Sequence, residues 1–405
     1  MNDLGLPSRV QAFVRDGIDL SAPRPTAAPS PFWQALRAVG SELWLDTGDL
    51  AAAGKLWTPE FSALTTNNTL LNKEIQTGYY DRLIADAARM LGSMDPAQKV
   101  LEIAFILNAR HALRLVQRFG GKVSVELHTD LAHDVERSVE YGRRYHAICP
   151  EHFIVKVPHT AAGLIAARRI ADAGIPVNFT LGFSARQNHI AAMVARPAWV
   201  NVFLGRLNAY VKDNGLGSGD LVGEKALLAS QREMTALGGR TRQIAASLRG
   251  AGQVRDLAGC DVFTMPTAVA EAAVKELDGR WTSRSDQDYQ VAFTADANAI
   301  RAECLWAVSP AERAFAADLA KRMPTTAAEL IDRAHAAGCG DCFPKLAPAD
   351  LARIAADGKI PKHAAWAERI AKRELAIDTL LNLAGLASFT ADQKALDERI
   401  RGNMG

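Results

Sequence analysis

Residues 153–181 read FIVKVPHTAAGLIAARRIADAGIPVNFTL, and they combine two strand patterns with one helix pattern. The first run, 153–157, and the last run, 176–181, are rich in β-branched and aromatic residues, as strands usually are. Between them, Thr160 is a candidate N-cap and Gly174 a candidate stop signal for a helix. Parallel strands need such a helical crossover, so the segment predicts one β–α–β unit of an α/β fold.

The same alternation of short strands and helices recurs through the rest of the chain. Further strands are predicted at residues 43–46, 63–67, 122–127, 200–204, 243–247 and 261–265. Eight strands over roughly 220 residues favour a (β/α)₈ TIM barrel, because a closed parallel barrel of that size has the typical length. An open doubly wound sheet is the alternative. Neither a G-x-G-x-x-G after a strand nor a G-x-x-x-x-G-K-[ST] occurs, so a nucleotide site is not supported.

Two regions of different composition flank the predicted barrel. Residues 21–31, SAPRPTAAPSP, are rich in proline, which restricts φ and removes backbone donors, so they predict an extended linker after a short N-terminal helix. Beyond about residue 290, strand patterns give way to helical ones. We therefore predict a helix and linker at residues 1–31, a catalytic barrel at 32–290 and a helical extension at 291–405, packed on the barrel or on a partner subunit in a homodimer.

Charge and cysteine content exclude several classes of protein. The 47 Lys and Arg residues nearly balance 45 Asp and Glu, and a net charge of +2 is too small for a surface that binds nucleic acid or an anionic membrane. No apolar run approaches the roughly 18 residues of a membrane-spanning helix. The 5 cysteines are odd in number and scattered, unlike a disulfide framework, and the N-terminus lacks a signal-peptide pattern. We expect a cytoplasmic protein.

No group of residues in the sequence has the spacing of a metal site. Cys339 and Cys342 form a single C-x-x-C pair, and a tetrahedral zinc site needs a second pair. His152 and His159 flank the strand at 153–157 without further ligands at a suitable spacing. We expect a turn with two thiols at the C-x-x-C pair and no bound metal.

Lys156, in the strand pattern FIVKVP, is the most informative single residue. Strand side chains alternate between faces, so an inward Lys156 leaves Val155 and Val157 facing the helices, as their apolar side chains require. Burial favours the neutral amine, which can attack a carbonyl carbon and form a Schiff base. The alternative is a lysine whose ammonium extends to water.

Other polar residues lie at or near strand ends, where a barrel holds its active site. Asp46 and Glu126 could move the protons that Schiff-base chemistry requires. Each has a structural alternative, because Asp46 could cap the next helix and Glu126 could be only a buried partner of Lys156. Three further residues could equally satisfy the polarity of the barrel interior; they are Asn67, Asn178 and Thr180.

Several segments of the chain together resemble the transaldolase family. They are LDTGDLAAAGKLWTPEFSALTTNNTL (45–70), SVELHTDLAHD (124–134), FIVKVPHTAAGLIAARRIADAGIPVNFTLGFS (153–184), NVFLGRLNAY (201–210) and AASLRGAGQVRDLAGCDVFTMP (245–266). The resemblance implies a class I aldolase-type barrel that moves a dihydroxyacetone unit between sugar phosphates. It also implies that no cofactor or metal is needed, because the imine serves as the electron sink.

The resemblance further implies a role for individual residues. Lys156 would form the imine with the ketose donor, and Asp46 would take the C4 hydroxyl proton as the C–C bond breaks. Glu126 and Thr180 would hold the catalytic water. The substrate-binding positions would be Asn67, Asn178 and Asn201 for the donor, Phe203 beside the water, and Arg206, Ser247 and Arg249 for the phosphate. Two guanidiniums and a hydroxyl suit a phosphate, although arginines in general more often form surface ion pairs.

The sequence departs from the family pattern at several positions. Asn68 replaces a proline, Asn201 a serine and Gly250 an asparagine, and the C-terminal region matches poorly. The donor and acceptor sugars therefore stay open. An aldolase of the fructose 6-phosphate type, which releases dihydroxyacetone, is one alternative, although that branch is expected to carry tyrosine in place of Phe203. A non-catalytic sugar-phosphate-binding protein, with the extension as an interaction module, is another.

Overall fold

The computed structural model describes residues 5–294 and 296–405. Its centre is a closed barrel of parallel strands, in which each strand pairs with the next along the chain and the last pairs with the first. The predicted (β/α)₈ TIM barrel is therefore confirmed. The strands are β1 (Glu42–Asp46), β2 (Phe61–Thr65), β3 (Lys122–Glu126), β4 (Phe153–Pro158), β5 (Val177–Thr180), β6 (Trp199–Phe203), β7 (Arg242–Ala246) and β8 (Val262–Pro266).

Each predicted strand is present, with ends displaced by at most two residues, and β2 differs most from its prediction. It ends at Thr65, and Asn67 lies beyond it, where the side chain accepts a hydrogen bond from the Leu70 N–H at 2.9 Å and caps the next helix. The prediction that Asn67 closes a strand was wrong. An asparagine between a strand and a helix favours the cap because its short side chain satisfies a free helical N–H.

Helices surround the barrel and continue beyond it at both ends of the chain. Through the helix after β8 they are α1 (Leu6–Arg15), α2 (Pro31–Ala38), α3 (Leu50–Leu56), α4 (Asn68–Gln76), α5 (Asp81–Leu91), α6 (Pro96–Phe119), α7 (Val135–Ile148), α8 (Ala161–Asp172), α9 (Ala185–Val194), α10 (Leu204–Asp213), α11 (Val222–Ala236), α12 (Ala251–Asp256) and α13 (Thr267–Glu276). The C-terminal region adds α14 (Pro310–Lys321), α15 (Ala327–Ala336), α16 (Pro348–Asp357), α17 (Ala367–Ala371) and α18 (Ile377–Asn403). Short 3₁₀ helices lie at Thr129–Leu131, Ala302–Leu305 and His363–Ala365.

The β4–α8–β5 unit folds as its sequence predicts. Thr160 Oγ1 accepts the Gly163 N–H at 2.8 Å and caps α8, and Gly174 turns the chain after the helix with a φ of 77°. A Cβ placed on Gly142 of α7 would lie 3.4 Å from Val155 Cγ1. Val155 therefore faces the outer helices, and alternation turns Lys156 towards the barrel interior.

The N-terminal region differs from the prediction at one residue. Pro31 opens α2 instead of ending the linker. A proline is tolerated at the first helical position because its missing N–H would have no helical partner there. Ser30 caps this helix by accepting a hydrogen bond from the Trp33 N–H.

The C-terminal region packs on the barrel through the 27-residue helix α18, which contacts α4, α5 and α6. A buried ionic cluster reinforces this packing. Arg186 of α9 is 1% exposed, and its guanidinium donates hydrogen bonds to Asp378 at 2.8 Å, to Glu312 at 2.8 Å and to Asp341 at 3.0 Å. Because these three carboxylates belong to the C-terminal region, one barrel arginine links three of its segments.

The C-x-x-C pair lies in the C-terminal region, between α15 and α16. Cys339 and Cys342 lie in a turn, as predicted, with the Cys342 N–H donating to the Cys339 carbonyl at 3.0 Å, and both thiols are free. None of the helices in the described ranges has the length and apolar character that crossing a membrane requires.

Candidate active site

A cleft of about 140 Å³ opens at the carboxyl ends of the barrel strands. The predicted site residues that line it are Asp46, Asn67, Lys156, Asn201, Phe203, Arg206, Ser247 and Arg249. The remaining predicted residues are buried within the barrel; they are Glu126, Asn178 and Thr180. Closure of the barrel thus brings to one end side chains that are far apart in the sequence.

The amine of Lys156 is held inside the barrel. The residue is 4% exposed, and its Nζ lies 3.2 Å from Glu126 Oε2 and donates a hydrogen bond to the Thr66 carbonyl at 3.1 Å. β3 and β4 pair with Glu126 opposite Lys156, so the register of the sheet determines this contact. The alternative of a lysine that reaches bulk water is therefore wrong.

Asp46 ends β1 and borders the cleft. The hydroxyl of Thr65 donates a hydrogen bond to Asp46 Oδ1 at 2.8 Å and lies 2.6 Å from the hydroxyl of Thr264. The helix after β1 is capped by Asp49, whose Oδ1 accepts backbone N–H bonds from the first turn of α3. The alternative role of Asp46 as a helix cap is therefore wrong, and its carboxylate is available to the cleft.

The pKa values of the two carboxyl groups of the site, Asp46 and Glu126, are both raised. Burial raises the pKa of Asp46 and of Glu126 above their ordinary values, and the ammonium of Lys156 opposes the rise in each. The charge of Asp46 raises the pKa of Glu126 further. A carboxyl group with a raised pKa exchanges protons closer to neutral pH, which suits general acid–base chemistry.

Two amides from neighbouring strands are joined by a hydrogen bond. Asn201 Nδ2 donates to Asn178 Oδ1 at 2.6 Å, and Asn178 Nδ2 donates to Ser124 Oγ at 3.0 Å. Asn201 borders the cleft, whereas Asn178 is fully buried. Thr180 is also fully buried, and its Oγ1 has no hydrogen-bond partner in the described part of the chain. A buried hydroxyl costs free energy unless it forms a hydrogen bond, so the Thr180 hydroxyl is left for a water or a ligand.

Arg206, Ser247 and Arg249 follow β6 and β7 at the rim of the cleft. Arg206 is 5% exposed and lies close to the rings of Phe203 and Phe389, with its guanidinium carbon 5.5 Å from each ring centroid. Burial and the charge of Arg249 lower the pKa of Arg206 to about 10, so the group is still charged at neutral pH. Ser247 has a φ of 63°, which is uncommon for a residue with a side chain and typical of functional loops.

The cleft is also lined by residues that sequence reasoning did not select, and three of them bear on its chemistry. Lys359 and Phe389 come from the C-terminal region, and no local pattern distinguishes them from other lysines or apolar helix residues. Thr264 could have been found, because it is the one polar residue of VFTMP and lies at an alternate position of β8. Its hydroxyl contact to Thr65 extends the network around Asp46.

One group of side chains in the described ranges has ligand atoms close enough for a metal ion: His128, Asp130 and Asp397. Both nitrogens of His128 have partners, since Nδ1 accepts the Asp130 backbone N–H at 3.1 Å and Nε2 lies 3.2 Å from Asp397 Oδ1. Gln393 donates to Asp397 at 2.8 Å and accepts from Asn68 at 2.7 Å. These hydrogen bonds account for the group as a network that joins α18 to the barrel loops.

A closed parallel barrel with a buried lysine–carboxylate pair and cationic side chains at the carboxyl ends of its strands defines a (β/α)₈-barrel enzyme. Residues 43–324, well over half of the chain, match the family described as Transaldolase/Fructose-6-phosphate aldolase. The chain belongs to this family.

Curated relatives support the same assignment. A transaldolase of Xanthomonas euvesicatoria pv. vesicatoria is 30% identical over 258 residues, which cover 61% of this chain and 78% of that protein. A transaldolase of Gloeobacter violaceus is 30% identical over 257 residues, covering 60% of this chain and 65% of that protein. A probable transaldolase of Thermus thermophilus is 35% identical over 242 residues, covering 58% of this chain and 91% of that protein. The chain is therefore an enzyme of the transaldolase/aldolase type.

Proposed function

We propose that this enzyme transfers a dihydroxyacetone unit from a ketose phosphate, of the sedoheptulose 7-phosphate or fructose 6-phosphate type, to an aldose phosphate, as in the pentose phosphate pathway. One observation carries the proposal. A single cleft contains a buried amine 3.2 Å from a carboxylate and also two guanidiniums and a hydroxyl at its rim. A ketose phosphate has a carbonyl near one end and a phosphate at the other, so it matches both parts of the cleft.

The first step is imine formation at Lys156. Glu126 Oε2, 3.2 Å from Nζ, is placed to take the ammonium proton and leave a neutral amine. The amine then attacks C2 of the ketose, and an N–C bond forms as the C=O bond becomes a hydroxyl. A proton supplied through Glu126 and a water held with Thr180 lets that hydroxyl leave as water. The product is a protonated imine, whose nitrogen withdraws electrons from the sugar.

The second step is C–C bond cleavage, with Asp46 as the base. Asp46 takes the C4 hydroxyl proton, the O–H electrons form the new carbonyl, and the C3–C4 bond breaks. The electron pair of that bond moves to the imine, which becomes an enamine as the first aldose phosphate leaves. The enamine C3 then attacks the aldehyde of the acceptor, and Asp46 returns its proton to the new hydroxyl. Hydrolysis of the imine releases the product without any net oxidation or reduction.

The phosphate would bind at the rim of the cleft. Guanidinium groups form paired, charge-assisted hydrogen bonds with phosphate oxygens. Arg206 is already buried beside the rings of Phe203 and Phe389, so little freedom is lost when a phosphate binds. Ser247 and Arg249, on the loop after β7, would approach the same phosphate from the neighbouring strand.

Transfer is better supported than release of free dihydroxyacetone. Phe203 lines the cleft, and its ring has no hydroxyl with which to orient a water for release. A non-catalytic binding protein is less supported still. Burying the Lys156–Glu126 pair is costly, and binding a phosphate does not require it.

Reductive trapping tests the imine. With fructose 6-phosphate and sodium borohydride, we expect a mass increase on the peptide that contains Lys156. Lys156→Ala should abolish both the adduct and turnover. Lys122→Ala is the matched control, because Lys122 is an exposed lysine at the start of β3, and it should retain both. A wild-type protein that gives no adduct contradicts the proposal.

Acceptor dependence separates transfer from simple cleavage. With fructose 6-phosphate alone, we expect one enamine per active site and no continued production of dihydroxyacetone. Adding an aldose phosphate should start steady turnover. Continued release of dihydroxyacetone without an acceptor would instead establish an aldolase.

A further inference from the structure

Lys359 is a cation that the C-terminal region places at the active-site cleft. It lies in the loop after α16 and lines the same cleft as Arg206 and Arg249. The family match ends at residue 324, so this lysine lies beyond the part of the chain that the match covers. The C-terminal region thus adds a charge that the barrel motifs do not include.

The loop that carries Lys359 is anchored to α10. Asn214, the residue after that helix, donates a hydrogen bond from Nδ2 to the Pro361 carbonyl at 3.1 Å, and its Oδ1 accepts the His363 N–H at 2.8 Å. His363 Nδ1 lies 2.7 Å from the hydroxyl of Tyr210 in α10. These contacts hold the loop against the helix that bears the buried guanidinium of the cleft.

The same loop directly follows α16, which packs against α18. α18 contributes Phe389, whose ring lies against the guanidinium of Arg206. A Cβ at Gly385, one turn earlier, would lie 3.0 Å from Arg206 Nη1, so the helix backbone also approaches this arginine closely. The loop is therefore anchored to α10, which bears Arg206, and α16, which precedes the loop, packs on the helix that contacts Arg206. We therefore place Lys359 at the phosphate end of the cleft.

We propose that Lys359 is a third cation of the phosphate subsite and that it selects substrates with a phosphate dianion over those with a monoanionic or neutral group. This inference rests on the proposed function, since it concerns the same cleft. A phosphate monoester loses its second proton near pH 6, so the dianion predominates at neutral pH. An ammonium on a flexible stem suits such a ligand because it can follow the oxygen that carries the excess charge.

The charges around the subsite are consistent with a dianion. Arg206, Arg249 and Lys359 supply three positive charges to one rim. The charge of Asp392 in α18 raises the pKa of Arg206. The Asp392 carboxylate already accepts a hydrogen bond from the Thr69 hydroxyl. The lysine ion pairs of the described residues involve Lys156, Lys225, Lys345 and Lys372, so the charge of Lys359 remains available to a ligand.

The substitution Lys359→Gln tests this inference, with Lys362→Gln as the matched control three residues further along the exposed face of the loop. For fructose 6-phosphate we expect KM to rise about fivefold, because a partly exposed charge pair contributes a binding free energy of that order. The kcat should change little. Lys359→Arg should keep the wild-type KM. Turnover of unphosphorylated fructose should be equal in the wild type and in Lys359→Gln. Loss of fructose and fructose 6-phosphate turnover in equal proportion would overturn the proposal.

Binding of inorganic phosphate supplies a readout that does not need turnover. In calorimetric titrations at low salt, Lys359→Gln should bind phosphate about fivefold more weakly than the wild type, and the difference should shrink at high salt because exposed charges are screened. Equal phosphate affinity in the two proteins would overturn the role of Lys359. A wild-type protein that binds phosphate through Lys359 but gives no borohydride adduct would overturn the proposed function alone.

Discussion

Gly205 and Ser247 are so close that a Cβ at position 205 would lie 2.1 Å from the Ser247 carbonyl oxygen and 2.8 Å from Arg249 Cγ. Gly205 is in the first turn of α10, next to Arg206, and Ser247 leaves β7 with a φ of 63°. The helix and the loop therefore meet through their backbones. A side chain at position 205 would therefore displace the backbone that carries the two guanidinium groups of the rim.

Gly205→Ala should disturb the phosphate subsite selectively. The added methyl group must push the loop after β7 away, because a backbone oxygen cannot yield as a flexible side chain can. We expect KM for fructose 6-phosphate to rise about tenfold or more, since small displacements of binding groups are costly, with imine trapping retained at saturating donor. Gly252→Ala is the control, because a Cβ there meets only Arg255 Nη2 at 3.7 Å, and it should leave KM unchanged. An unchanged KM in Gly205→Ala would show that the spacing does not matter.

Arg249→Ala should weaken the use of phosphorylated substrates and spare the chemistry. Loss of a charge-assisted contact to phosphate is expected to raise KM by about 10-fold to 100-fold. Unphosphorylated fructose should be turned over as by the wild type. Arg255→Ala, on the exposed side of α12 with Asp256 as its partner, is a suitable control. Equal losses with both donors would rule out a phosphate-binding role for Arg249.

Asp46→Asn should separate imine formation from cleavage. The amide keeps the shape of the side chain but cannot accept the C4 hydroxyl proton, so turnover should fall about 10²-fold to 10⁴-fold. Borohydride trapping at Lys156 should persist. Asp49→Asn keeps the helix cap and should leave turnover intact, because asparagine and aspartate cap equally well. Wild-type turnover by Asp46→Asn would exclude Asp46 as the base.

Asp46→Asn should also change how stability depends on pH. Burial raises the pKa of Asp46 in the folded protein above its unfolded value, so the folded state binds more protons and the wild type loses stability as pH rises through that interval. The asparagine variant lacks this loss. We expect urea unfolding to show a larger advantage of Asp46→Asn over the wild type at pH 8 than at pH 4. A smaller advantage at pH 8 would contradict the raised pKa.

Arg186→Met should destabilise the protein strongly. The substitution leaves Asp378, Glu312 and Asp341 without their shared partner, and breaking a buried ion pair costs about 3–5 kcal/mol. Urea unfolding measures the effect. Arg169→Met is the control, because Arg169 pairs with exposed Glu136 at the surface, and it should change the midpoint little. Equal stability of the two variants would contradict a structural role for the cluster.

The same cluster predicts a loss of stability in acid. Although burial opposes it, the Arg186 guanidinium holds the pKa of Asp378 below its ordinary value. A lowered folded-state pKa means that the stabilisation is present at neutral pH and is lost as pH falls through that pKa. Arg186→Met should therefore differ from the wild type less at very low pH than at neutral pH, as measured by thermal unfolding.

Predictions from the sequence succeeded where the pattern is local. Runs of β-branched and aromatic residues located the strands. The alternation of side chains between the two faces of a strand then predicted that Lys156 points inward. The prediction failed for Asn67, where a strand end and a helix cap share the same residue type, and the hydrogen bond to Leu70 selected the cap. Neither Lys359 nor Phe389 could be found, since the contacts that bring them to the cleft join helices far apart in the chain.

The amino-acid sequence by itself determined the alternation of strands and helices and the strand ends that carry polar side chains, because strand and helix periodicities and crossover length depend on neighbouring residues alone. Closure into a barrel rather than an open sheet was decided by the pairing of β1 with β8. Only the tertiary structure decided which groups meet. It brings Lys156 to 3.2 Å from Glu126, places Arg206 beside the rings of Phe203 and Phe389, and positions Lys359 at the rim of the cleft. These contacts depend on sheet register and on helix packing between distant segments. No local pattern of residues specifies that packing.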